Sequence, residues 1–443
     1  METERKLATA SRETLLTIIA EQQTIIEQLQ QRIAALETRL SGRGSAGMPG
    51  NKPASSKRGE RTAARKRRAV GCARQRMTPT ERVEHAAAVC PTCGTALAGG
   101  WVQRTREVIE LPILPVRVVE HVFLARICPL CRKRVVPTAD LGGEVVGRQR
   151  CGINLVSAIA TLREAGRLPV ETIQWYLETF HHLHLSVGGI VAVLQRVATQ
   201  GEQMVEQIQE HIRASPVVHA DETGWREDGR NGYVWTFSTE RERYFLRRGR
   251  GKEVVDEVLD GSFGGVLVSD FYAAYHHYGG VHQRCWAHLL RDIHELQLLY
   301  PTDTELATWA TAVHALYEEA KAFVQSDPRQ RQRLQLRCER RLLALCQPFL
   351  EDPVALQGKL CRRIERFIKE LFVFVGDPAV PGTNNAAERS LRHLVTSRKI
   401  SGGTRSPHGT TSKMTLSSLF GTWSVQGLNP FLACRNLLTS PRV

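Results

Sequence analysis

Residues 215–225, SPVVHADETGW, decide how the rest of the chain is read: a short apolar run containing Val217 and Val218 leads straight into an acid, Asp221. A β-branched run bounded by turn-forming residues is the signature of a strand. Two more strands follow, GYVWTFSTE (232–240) and RYFLRRGRG (243–251), with a tight polar break between them. KEVVDEVLD (252–260) has helical spacing, and GGVLVSDFYAAY (264–275) is a buried strand ending in Asp270. Neighbouring parallel strands would bring the acids at the tips of the first and fourth strands to one sheet edge. Open α/β sheets take their ligands outside the carboxyl ends of such strands.

Three strands, a helix and a fourth strand is the order of a ribonuclease H-like core. Two carboxylates held close repel each other unless a cation lies between them, and hard oxygen donors select Mg²⁺ or Mn²⁺. Two such ions, about 3.5–4 Å apart, activate the attacking oxygen and stabilise the leaving one in phosphoryl transfer. A third acid usually completes the set. TNNAAERSLR (383–392) supplies one, placing Glu388 among Arg389, Arg392 and two asparagines. One reading is local, with Asn385 capping a helix and Glu388 closing a capping box. The other turns Glu388 inward to the metals while Arg389 and Arg392 face phosphate. Glu222 is set aside because strand alternation points it to the opposite face. Trp225 and Tyr272 are read either as stacking on a frayed base or as core.

Working towards the N-terminus, LVSAIATLREAG, PVETIQWYLETF and SVGGIVAVLQRVA are helical patterns. The last two read as short helices joined by HHLHL, with Ser186 as a cap, in a helix-turn-helix arrangement; Trp175 and Tyr176 are expected in the core. Further upstream, CPTC (Cys90, Cys93) and CPLC (Cys128, Cys131) supply the four thiolates that one structural Zn²⁺ needs. The alternating interval WVQRTREVIELPILPVRVVEHVFLARI is expected to form the strands of a zinc ribbon. Cys72, Cys151, Cys338, Cys346, Cys361 and Cys434 stand without such company and read as ordinary thiols.

The chain carries 60 Lys plus Arg against 45 Asp plus Glu, a net +15 that favours a polyanionic partner. Eleven of those cations and one acid, Glu60, lie between residues 41 and 80, in a Gly-, Ser- and Ala-rich stretch expected to be a disordered basic arm. Residues 13–40 hold a seven-residue repeat, with Ile19, Ile26, Ile33 and Leu40 at a and Leu15, Gln22, Leu29 and Leu36 at d. Ile at a with Leu at d favours a parallel two-stranded coiled coil. Deleting residues 1–40 should therefore lower the assembly state in light scattering; an unchanged mass would refute the zipper. With no run of eighteen apolar residues and no signal peptide, the expected compartment is the cytoplasm, on the nucleoid rather than at a membrane.

Downstream, 117 residues separate Asp270 from Glu388. ELATWATAVHALYEEAKAFVQ, RQRLQLRCERRLLALCQPFL and LCRRIERFIKELFVFV are three helical patterns, read as an all-α insertion with Arg362, Arg363, Arg366 and Lys369 on one basic face. In RCWAHLLRD, Cys285 and His288 form a C-x-x-H pair near His282, without the second pair that zinc would want.

From the zipper through HADETGW, SDFYAAY, RCWAHLLRD, NNAAERSLR and SRKISGG to GLNP, the chain resembles bacterial insertion-sequence transposases of the DDE class, and more narrowly the insertion-sequence "sixty-six" family. The resemblance implies that Asp221, Asp270 and Glu388 bind two Mg²⁺ or Mn²⁺ ions as the catalytic triad. It also implies that the ribbon and helical region recognise the element's inverted repeats, that water nicks the DNA, and that the freed 3′-OH attacks the target. Cys285, His288, Arg389, Arg392, Arg398 and Lys399 would support the site or touch DNA. Two departures, the missing aromatic before the Gly402–Gly403 pair and the early end at NLLTSPRV, would reduce activity.

The expected architecture is multidomain α+β. It comprises a coiled coil (1–40), a basic linker (41–80), a zinc ribbon (81–150) and a helix-turn-helix-like region (151–212). A ribonuclease H-like core follows in two parts (213–295 and 379–443) around the all-α insertion (296–378). Expected partners are double-stranded DNA, as transposon ends and target, a second copy of the chain or a higher oligomer, and accessory proteins of the element. The competing readings are a catalytically inactive DNA-binding repressor of its own element and a structure-specific nuclease for hybrids or junctions.

Overall fold

The computed structural model describes residues 78–440 except 110–115, 139, 140, 142 and 146–148, together with Gln23, Glu27 and Gln30. The zipper (apart from those three positions) and nearly all of the basic arm lie outside the described residues.

Two short strands, β1 (Arg126–Ile127) and β2 (Arg134–Val135), pair antiparallel around the second CxxC. Among the described residues of the alternating interval, β1 is the segment that joins a ladder. Val102, Val108, Val118 and Val122 remain exposed, because no second layer lies over their apolar edges. Alternation alone does not make a strand when neither a ladder partner nor a covering face is present.

Helices α1 (Ile153–Glu164), α2 (Val170–His181) and α3 (Val187–Ala214) follow. Ser186 caps α3 as expected, its hydroxyl accepting from the Gly189 N–H at 3.1 Å. However, α3 is 28 residues long, not the short second helix of the sequence reading. Its apolar stripe, Ile190, Val193, Leu194, Val197, Ile208 and Ile212, keeps the three-to-four spacing that prolongs a buried helix face. Trp175 is 58% exposed rather than core, packed edge-on to an equally open Phe180; Tyr176 is the partner that leans on the core.

The sheet holds β3 (Val217–Glu227), β4 (Arg230–Ser238), β5 (Arg243–Arg248), β6 (Val266–Ser269) and β7 (His282–Arg284) in the order β5-β4-β3-β6-β7. The first three are antiparallel; β6 and β7 join parallel to β3. Helix α4 (Glu253–Leu259) makes the crossover from β5 to β6, as a parallel return requires. This is the anticipated run of three strands, a helix and a further strand, in a mixed α+β architecture.

Between β7 and the next long segment lie α5 (Trp286–Leu299), α6 (Thr304–Phe323), α7 (Pro328–Cys346), α8 (Gly358–Arg366) and α9 (Val373–Gly376). They bury a core of their own around Trp286, Val313, Leu342, Ile364 and Phe372. The third expected helical pattern is broken here into α8, a 3₁₀ turn at Ile368–Glu370 and α9. Two of the four cations of its basic face are ion-paired: Arg363 with Asp292 at 2.6 Å and Lys369 with Glu339 at 2.5 Å.

The chain then returns as α10 (Asn385–Ser401), α11 (Pro407–Val425) and α12 (Pro430–Thr439). Ala387, Leu391 and Leu394, spaced four and three apart, lay α10 against Trp225, Val234, Phe245 and Met414. At its end Gly402 takes a left-handed turn, and Gly403, at φ +124°, passes so close to β3 that a Cβ would meet the Arg226 carbonyl. Thr404 continues the contact, its N–H donating to the Arg226 carbonyl at 2.9 Å. Among the described residues, no helix is long and apolar enough to cross a membrane.

Candidate active site

The parallel register of β3 on β6 runs Val217 to Val266, Val218 to Leu267 and His219 to Val268. Two further steps at the same offset set Asp221 opposite Asp270. The strand lengths differ from expectation. Asp221 lies inside an eleven-residue strand rather than at its tip, because β3 continues against β4 after β6 has ended; Asp270 is the first residue beyond β6. Asp221 therefore borders the gap that opens where β6 stops.

Backbone amides fix both side chains. The Glu222 N–H donates to Asp221 Oδ1 at 2.9 Å, and the Tyr272 N–H to Asp270 Oδ1 at 2.8 Å. Burial, then the charges of Glu222, Asp270 and Glu388, push the Asp221 carboxyl up to about 8. Among the described residues, no three His, Cys, Asp or Glu side chains are gathered closely enough to hold an ion outright.

Glu388 arrives from the first turn of α10. It does not close a capping box: Asn384, not Asn385, occupies the N-cap, and its side chain makes no cap hydrogen bond. Instead Glu388 Oε1 is buried without a hydrogen-bond partner and lies 3.6 Å from His288 Nε2. The C-x-x-H residues thus part company. His288 faces the candidate triad, whereas buried Cys285 accepts from the Asn384 N–H at 3.1 Å and His282 bonds Ser269 Oγ at 2.8 Å.

Of the cations named from sequence, Arg389, Arg392 and Lys399 are exposed on α10. Arg398 turns back to β3, donating to Thr223 Oγ1 at 3.1 Å and to the Gly224 carbonyl, so it ties helix to strand. Trp225 is 2% exposed and hydrogen-bonded to Thr404, which makes it core rather than a base platform. The ring of Tyr272 is covered by the Arg250 guanidinium, 4.0 Å from its centroid.

Several residues that position the acids were missed. Glu222, although on the other face of β3, is 5% exposed, paired with Arg250 at 2.9 Å and accepting from Tyr275 Oη at 2.9 Å, and it raises the proton affinity of Asp221. Arg284, 1% exposed, donates to the Asp270 carbonyl at 2.8 Å and pairs with Glu370 at 2.6 Å, so the helical insertion braces the turn that carries Asp270. No local pattern signals a pair 86 residues apart.

The cysteines form two separate knuckles. In one, the Cys90 N–H donates to the Thr95 carbonyl and the Gly94 N–H to the Cys90 carbonyl; in the other, Cys128 and Arg132 repeat the arrangement, all at 2.9 Å. Gly94 and Arg132 both adopt positive φ, which turns the chain tightly around each pair. Hydrogen bonds from Thr95 lower the Cys93 thiol, and those from Cys131 and Leu130 lower Cys128. Among the described residues, no group of three or more His, Cys, Asp or Glu side chains is placed to hold a metal ion, the two knuckles included.

A family model described as Transposase IS66 family matches residues 148–412, from just before α1 into α11. The chain belongs to the IS66 transposase family. That span contains the sheet, the helical insertion, both aspartates and Glu388. A stretch of 71 residues is also 41% identical to an uncharacterized protein, y4jO, of Sinorhizobium fredii, covering 16% of this chain. The match spans 22%, about a fifth, of that relative's own length.

Proposed function

We propose that this IS66-family protein binds the terminal inverted repeats of its element, cleaves the ends, and joins their 3′-OH groups to target DNA through a ribonuclease H-like core. Asp221, Asp270 and Glu388 would hold two Mg²⁺ or Mn²⁺ ions. The observation that supports this reading is the parallel pairing of β3 with β6 just before Asp221 and Asp270, with Asp270 and Glu388 both close enough to raise the proton affinity of Asp221. The donor set fits: hard carboxylate oxygens, the charges of Asp270 and Glu388 acting on Asp221, and a buried Oε1 on Glu388 with no hydrogen-bond partner are together the deficit that divalent cations satisfy.

When bound, such ions activate an attacking oxygen and stabilise a leaving one at phosphorus. The chain's own groups do the rest. The amides of Glu222 and Tyr272 hold one oxygen of each aspartate, leaving the other to the ligand. Arg284 steadies the Asp270 backbone. Arg389 and Arg392, exposed beside Glu388, offer guanidinium forks to flanking phosphates.

The test is cleavage of a supercoiled plasmid carrying the element's ends, with Mn²⁺. Asp270→Asn should abolish cutting and retain end binding. Wild-type binding without any cutting would favour the repressor reading, and cutting indifferent to the ends would favour a structure-specific nuclease. Two CxxC pairs supply the four thiolates that one structural zinc takes, so roughly one ion per chain is expected. Cys128→Ser should release it; metal analysis of the wild type showing none would count against it.

A further inference from the structure

The geometry points to Asn384 as a positioning residue that fixes the helix bearing Glu388 to the strand bearing Asp221, which rests on the catalytic reading above. Asn384 occupies the N-cap of α10, where an asparagine ordinarily turns its side-chain oxygen onto the helix's own free N–H groups. Here it does not. The side chain is fully buried and spans to β3: Nδ2 donates to the Ala220 carbonyl at 2.7 Å, while Oδ1 lies 3.0 Å from His219 Nδ1. Because Nδ2 is committed as a donor, Oδ1 is the acceptor and His219 Nδ1 carries the hydrogen. The Asn384 backbone N–H meanwhile donates to Cys285 Sγ at 3.1 Å, at the start of α5.

One residue thus joins three elements. Ala220 and His219 immediately precede Asp221, Asn384 stands four residues before Glu388, and Cys285 stands three before His288, which faces Glu388. The pairing partners are 164 and 165 residues away in sequence, so the bridge sets the separation of two carboxylates that no local structure could fix. The helix surrenders its usual cap to make it, and an amide replaces the cap only where its two opposed hydrogen-bonding atoms are both needed. Serine would cap the helix but could not span to Ala220 and His219 together.

Asn384→Ser separates the two roles, because serine is as good an N-cap as asparagine. In the full chain, the expected result is a lower melting temperature, because the buried Ala220 carbonyl and His219 Nδ1 lose their partner, with unchanged binding to the element's ends. Mn²⁺ half-saturation, read by electron paramagnetic resonance without DNA, should rise about 10- to 100-fold, as for loss of a group that orients a metal ligand, and kcat for cleavage should fall with it. Unchanged Mn²⁺ affinity and unchanged cleavage in Asn384→Ser would overturn the assignment. Should the serine variant fail to fold, Asn384→Gly, the next-best cap, gives the same two outcomes. A wild type that neither binds Mn²⁺ nor cuts would instead overturn the catalytic reading, and Glu388→Gln run alongside tells the two failures apart.

Discussion

Replacing Glu388 by Gln is expected to slow DNA cleavage by about a thousandfold while leaving the metal-free protein as stable as the wild type or more so. Loss of a metal-holding carboxylate removes several kcal/mol of transition-state stabilisation, and about 4 kcal/mol corresponds to that rate. The stability half of the expectation follows from position. Glu388 Oε1 is buried without a hydrogen-bond partner and its charge raises the proton affinity of Asp221, so a neutral amide removes that repulsion at the loss of the 3.6 Å approach to His288 Nε2. Had Glu388 served mainly to close a capping box, the same change would weaken the start of α10 and leave cleavage nearly intact. Asp221 gives a matching pH signature. Its carboxyl, raised to about 8, holds a proton in the folded state that the unfolded chain releases near the ordinary carboxylate range. Between those values the folded state binds more protons, so the metal-free protein should lose stability as pH rises towards about 8. Saturating Mn²⁺ should flatten the slope, and so should Asp221→Asn; a metal-free melting temperature constant from pH 5 to 8 would speak against it.

The second large effect is expected far from the chemistry. Lys413 of α11 lies 2.9 and 2.8 Å from the two oxygens of Glu164 at the end of α1, with Ser417 Oγ adding a third contact at 3.2 Å. The side chains are only 8% and 1% exposed. Lys413→Met leaves Glu164 buried without its cation, and breaking such a pair costs about 3–5 kcal/mol. Adding Glu164→Leu should recover most of the loss, since a buried ion pair and an apolar pair of similar volume are often equivalent. Chemical denaturation of the two single variants and the double variant gives the coupling directly. A single-variant cost below about 1 kcal/mol would mean the pair is solvated. The contact joins the helices before the sheet to the helices after α10, so a large coupling would show them unfolding together.

The sequence exposed the sheet more fully than the elements around it, for a physical reason. Strands β3 to β6 are each buried by their own composition, and Asp221 and Asp270 interrupt apolar runs, so alternation and chemistry pointed the same way. Glu388 drew notice because a lone acid among arginines invites explanation, and the structure bears on its local reading by showing Asn384 at the N-cap and bonded elsewhere. In the interval 101–127, alternation reports a preference for strands, and among the described residues a ladder partner is found for β1. Trp175 misled because ring size says nothing about which side of α2 is covered. The basic face at Arg362–Lys369 is half neutralised, because Asp292 and Glu339, distant in sequence, pair with two of its four members. The bracing groups, Arg284 with Glu370 and Asn384 with Ala220, join residues more than eighty positions apart, and pairings of that kind leave no local trace.

The central claim is that three acids, two from adjacent strands and one from a returning helix, act as one divalent-metal site. The most direct measurement is a Mn²⁺ titration of the full-length protein by electron paramagnetic resonance, for the wild type and for Asp221→Asn, Asp270→Asn and Glu388→Gln. The account expects saturable binding that each substitution weakens at least about tenfold, as removal of any one direct ligand should. A Glu388→Gln protein that binds Mn²⁺ as the wild type does would contradict it.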